Sequence, residues 1–105
     1  MTKIEISYKN KNIIKVVASE HADYAEYGKD IVCAGISSIL QTAELGLQKF
    51  SKVQCTKKQG YMSMQLVDIE NSISFNNAQI ILQTMLCGLE DLQKQYPKHL
   101  KLEVK

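Results

Sequence analysis

Two stretches of this chain repeat apolar residues at helical spacing, each on one face only. From Asp30 to about Phe50, a step of about 100° per residue puts Val32, Ile36, Ile39, Ala43, Leu47 and Phe50 on one side. A second stretch, opened by Ser72 or Ser74 and running to Tyr96, carries Phe75, Ala78, Leu82, Met85, Leu86 and Leu89 on its side. Pro97 stops it, because proline cannot continue the hydrogen-bond ladder and disfavours helix in the residue before it. A helix with one apolar stripe must bury that stripe against another layer. Gly35 and Gly46 weaken the first helix, and their expected use is close packing against a neighbouring element.

The partner layer is legible as strands. Ile4, Ile6 and Tyr8 alternate with polar residues, Lys9 to Asn12 make a polar turn, and residues 13–18 are rich in β-branched side chains, so residues 3–18 predict a hairpin. Val53–Thr56 and Tyr61–Val67 predict two further strands about the turn 57–60, and Leu100, Leu102 and Val104 a half-buried last one. The expected fold class is α+β: a two-layer sandwich of order β-β-α-β-β-α-β, with two helices packed on one face of a mainly antiparallel sheet. The 105 residues suffice for one domain, 1–105, with one modest core.

Composition narrows the partners. The formal charge is +2 and all thirteen basic residues are lysine. Lacking arginine's bidentate fork, the chain is a poor candidate for reading a nucleic-acid sequence, and its lysines are dispersed. Cys33, Cys55 and Cys87 are odd in number and far apart, which excludes a disulfide framework and the paired spacing of a zinc site. No cofactor is implied. The N-terminus does not resemble a signal peptide, and the apolar runs read as too short to span a bilayer. The expectation is a reduced cytoplasmic protein with no membrane segment and no metal.

The densest chemistry lies between Ser19 and Ala34. His21 falls in a polar loop containing Gly28, and Cys33 in the first turn of the helix that follows. The positive end of the helix dipole and a nearby imidazolium both favour a thiolate, the recipe for an activated cysteine. Cys33 lies about 80–90° from the centre of the apolar stripe, on a flank shared with Ser37 and Glu44, whereas a packing cysteine usually sits mid-stripe.

Each of these residues also has a plainer reading. Cys33 could be an inert packing residue and His21 a solvated loop histidine. Asp30 could cap the helix by accepting from first-turn amides, and as a carboxylate near Cys33 it would oppose the thiolate. Ser37 could reach the same space as Cys33 or bond back to a carbonyl one turn earlier. Tyr24 and Tyr27 could wall a cleft or cover the sheet edge. Cys55 and Cys87 read as structural, and His99 as a surface residue.

The run His21-Ala22-x-Tyr24-Ala25-x-x-Gly28-x-Asp30-Ile31-Val32-Cys33-Ala34-x-x-Ser37 resembles the signature of the ribosomal-processing cysteine protease family, Prp. The opening hairpin, the pair Gly88-Leu89 and the Tyr96-Pro97 ending resemble that family too, so the likeness covers nearly the whole chain. It implies a cytoplasmic endopeptidase, typically a homodimer, that removes the N-terminal extension of large-subunit ribosomal protein twenty-seven by a cut after an aromatic residue. Carried over, Cys33 would be the nucleophile and His21 the general base and acid. Asp30 and Ser37 would support the site, and Gly28 would give the loop its mobility. The family usually has glycine just before the histidine where this chain has Glu20, whose carboxylate would tend to raise the imidazole pKa. A non-catalytic ribosome-assembly module that binds a ribosomal protein is the alternative.

Overall fold

The computed structural model describes residues 1–20, 29–67, 70 and 72–105, with residues 29 and 30 described by their backbone alone. The first hairpin forms as its residues require. Strand β1 (Thr2–Lys9) and strand β2 (Asn12–Glu20) are joined by Asn10 and Lys11, both at positive φ (51° and 67°). Two consecutive residues of that kind give the turn whose twist matches an antiparallel pair. The sheet continues with β3 (Val53–Lys58), β4 (Tyr61–Leu66) and β5 (Leu100–Val104), in the order β3-β4-β2-β1-β5. Gly60, in the β3–β4 turn, takes a φ of +72° that glycine adopts at no steric cost. All pairings are antiparallel except that of β1 with β5, so the sheet is mixed.

Helices α1 (Lys29–Phe50) and α2 (Ile73–Gln95) complete the expected β-β-α-β-β-α-β order. Of the two candidate openings of α2, Ser72 is the cap: its hydroxyl accepts from the Phe75 amide at 3.1 Å. The core joins Ile4, Ile6, Ile13 and Val16 of the sheet to Val32, Ile36, Leu40, Ala43 and Leu47 of α1 and to Phe75, Ala78, Leu82, Met85 and Leu89 of α2.

Three expectations are corrected. The buried stripe of α1 runs through Leu40 rather than Ile39, and Phe50 is 53 % exposed. The reason is that Ile39 turns toward α2, where it packs over Gly88, while Leu92 and Ile81 of α2 lie over Gly35 and Gly46. The glycines thus serve the helix–helix approach, as expected. Second, β2 runs two residues past Ala18, which carries Glu20 onto the sheet. Third, Ile31–Phe50 is long and apolar enough to cross a bilayer by length and composition. Its stripe is taken up by the core, and it contains Glu44, which is buried and ion-paired.

Candidate active site

The start of α1 overhangs one end of the sheet, and the gap between them is a cleft of about 290 Å³. Its floor crosses the strands. Thr2 of β1 is in register with Glu20 of β2, Ala18 with Met62 of β4, and Met62 with Lys57 of β3. From above, α1 contributes Cys33, Ile36, Ser37, Leu40 and Gln41. The middle of the cleft is apolar, through Ala18, Ile36, Leu40 and Met62, with Glu20 at one end and Lys57 at the other. Side chains two apart on a strand share a face, so the period that buries Val16 and Ala18 also aims Glu20 under the helix.

Cys33 is half-buried at this cleft, on the edge of the core as its helical angle predicts. It is the fifth residue of α1, at the opening of the second turn rather than in the first. The dipole acts on it less than the sequence suggests, because that field fades within a turn. Its thiol donates to Glu20 Oε1 at 3.0 Å, and the Thr2 hydroxyl donates to the same oxygen at 3.3 Å. The Glu20 amide is tied to the Gly60 carbonyl at 3.0 Å, which fixes the strand end beneath the thiol.

Ser37 lies one turn on and faces the same cleft, where its hydroxyl accepts from Gln41 Nε2 at 2.8 Å. The structure therefore brings Cys33 and Ser37 together. His21, Tyr24, Tyr27 and Gly28 lie outside the described residues, as does the side chain of Asp30. The backbone of Asp30 is already helical, since α1 begins one residue earlier, at Lys29, so Asp30 occupies the first turn instead of preceding it.

The other titratable candidates sort clearly. Glu44, expected on the polar flank beside Cys33, is only 4 % exposed and pairs with Lys57 at 2.6 Å. Burial, with Glu44 adding to it, pushes the Cys55 thiol up to about 11, the opposite of an activated cysteine. Cys87 is exposed on α2. His99 is half-buried, and its carbonyl accepts from the Thr2 amide at 3.0 Å, so its backbone anchors β1. Among the described residues no group of three or more His, Cys, Asp or Glu could hold a metal ion. Sequence reasoning missed Thr2, Gln41, Lys57 and Met62 as cleft residues. It named Glu20 only as a neighbour of His21, although the period of β2 already points that side chain under the helix.

The fold has counterparts among solved structures. The chain is similar to the crystal structure of an essential ribosomal processing protease Prp from S. aureus in complex with a substrate peptide, with a TM-score of 0.86 and 29 % identity over all of both chains. The same S. aureus protease in complex with a covalently linked product peptide gives a TM-score of 0.84 and 30 % identity, again over both full chains. A fold matched throughout to peptide-bound proteases, with a cysteine at its cleft, defines a cysteine protease. The ribosomal processing cysteine protease Prp of Staphylococcus aureus is 33 % identical over the whole of both chains. That of Bacillus subtilis is 25 % identical over 89 % of this chain and 87 % of its own. Residues 1–101 match the model of the family described as cysteine protease Prp, and the chain belongs to that family.

Proposed function

We propose that this protein is a cytoplasmic endopeptidase that removes the N-terminal extension of large-subunit ribosomal protein twenty-seven, cutting after an aromatic residue. The observation that carries this reading is the position of Cys33, at the mouth of a cleft whose middle is apolar and whose 290 Å³ can take a large side chain. The relatives are ribosomal processing proteases, which supports the substrate class.

In the mechanism His21 takes the proton of Cys33, and the thiolate attacks the scissile carbonyl to give a tetrahedral intermediate. His21 then returns the proton to the leaving amine, and water hydrolyses the thioester. In a helix starting at Lys29 the Cys33 amide already belongs to the i→i−4 ladder. The oxyanion is therefore assigned to amides ahead of it, which the helix leaves unpaired. Asp30 and Ser37 support the site, and Gly28, Tyr24 and Tyr27 complete the supporting and substrate-binding set.

The functional unit in this reading is a homodimer. Its support is the apolar groove between α1 and α2, which includes Phe50 and the 68 %-exposed Ile80. The deciding experiment is cleavage of a synthetic peptide spanning the extended N-terminus of the host's own ribosomal protein twenty-seven, read by mass spectrometry. A single cut after an aromatic residue, lost in Cys33→Ala and His21→Ala, is expected. Stable binding with no cut would overturn the substrate assignment.

A further inference from the structure

The contact between Glu20 and Cys33 does something that the mechanism above does not require. An ionised carboxylate only accepts hydrogen bonds, so Glu20 Oε1 can hold the sulfur at 3.0 Å only while the sulfur keeps its proton. Once the proton leaves, two anions face each other across the same gap, and the thiolate is disfavoured. The carboxylate is well held: Thr2 donates to the same oxygen, and the Glu20 backbone is tied to Gly60.

Among the described residues, the charges that share the cleft do not relieve this. Lys57 of β3 is engaged with Glu44 at 2.6 Å, and Lys58 lies over the Tyr61 ring of β4 at 5.2 Å. Among the described side chains of α1 the facing titratable group is Cys33 itself, and from β1 the facing side chain is the neutral Thr2. Glu20 also lines the cleft and is exposed, so a peptide backbone or side chain entering there competes for its place.

We propose that Glu20 is a positioning residue that holds Cys33 as a thiol until a peptide entering the cleft displaces the carboxylate. No covalent bond changes in this step. The proton stays on sulfur while Glu20 accepts it, and after displacement it passes to His21, the base of the reaction. The inference rests on the reading of Cys33 as the nucleophile, but its first test needs no substrate.

That test is the rate of Cys33 alkylation by iodoacetamide against pH, followed by peptide mass mapping in wild type, Glu20→Gln and Glu20→Gly. Gln keeps the shape and an acceptor oxygen while removing the charge. Both variants are expected to move the alkylation midpoint to lower pH and to raise the rate at pH 7 about three- to tenfold. Cys55 and Cys87 in the same samples are expected to react as in wild type, which a general loosening of the fold would not allow. An unchanged or higher midpoint in Glu20→Gln would overturn the proposal, whether or not any peptide is cut. With a cleaved peptide, the acid limb of kcat/KM, which reports the free enzyme, should shift in Glu20→Gln while that of kcat stays in place. An equal shift in both would overturn displacement by the peptide. A failure to cut the ribosomal peptide would count against the proposed substrate and leave the alkylation result to decide the role of Glu20.

Discussion

The side-chain amide of Gln79 replaces a strand for Ile13. Its Oε1 accepts from the Ile13 amide at 2.8 Å, and its Nε2 donates to the Ile13 carbonyl at 2.7 Å. Ile13 is fully buried, and this two-point bond couples α2 to the start of β2. Gln79→Ala would strand a backbone donor and acceptor, at a cost of about 1–3 kcal/mol. Urea denaturation reads this as a lower midpoint at unchanged slope, and a loss below about 0.5 kcal/mol would mean that water replaces the amide without penalty.

The Glu44–Lys57 pair should behave asymmetrically, because the carboxylate is buried and the ammonium is 56 % exposed. Lys57→Met takes the cation away from a buried carboxylate and should cost about 1–3 kcal/mol, a figure held down by the exposure of Lys57. Adding Glu44→Leu to that variant should restore most of the loss. A double variant no more stable than Lys57→Met would show that Glu44 contributes through packing instead.

Cys33→Ala should lower peptide cleavage by about a thousandfold or more and leave folding nearly untouched. The side chain is half-buried and lies outside the buried core, so thermal unfolding should shift by no more than about 2 °C. A large drop in the melting temperature would assign the residue to packing.

Cys55 offers a contrast within the same molecule. With its thiol pushed up from 9.0 to about 11, chiefly by burial, it should alkylate slowly at pH 8 and accelerate only toward pH 11. The folded state keeps a proton that the unfolded chain releases near pH 9, so this thiol's contribution is complete below pH 9 and is lost as pH rises to about 11. Alkylation of Cys55 at pH 8 as fast as that of the exposed Cys87 would contradict this.

Elements were easy to read where one period dominates. The stripe Phe75, Ala78, Leu82, Met85 and Leu89 and the alternation Ile4, Ile6 needed only helical and strand geometry and are buried as expected, while Leu86 and Tyr8, read with them, are half-buried at the core's edge. Ile39 and Phe50 were misplaced because the stripe of α1 borders two partners, the sheet and α2, and sequence spacing does not say which neighbour an edge residue faces. Cys33 stands out through its place after His21 in the segment 19–34, and its angle from the stripe sets it apart from a packing cysteine. The cleft beneath it was not, because Thr2, Glu20, Met62 and Lys57 come together only through a strand order that no local pattern encodes.

The parallel pairing of β1 with β5 joins Thr2 to Leu100, a closure spanning nearly the whole chain. The Thr2 amide is held by His99, and the Thr2 hydroxyl holds the carboxylate that touches Cys33. The wall of the cleft is therefore fastened only once His99 and β5 have been made and have met β1. A contact of such long range forms late, so a nascent chain that has not yet reached His99 has no finished cleft.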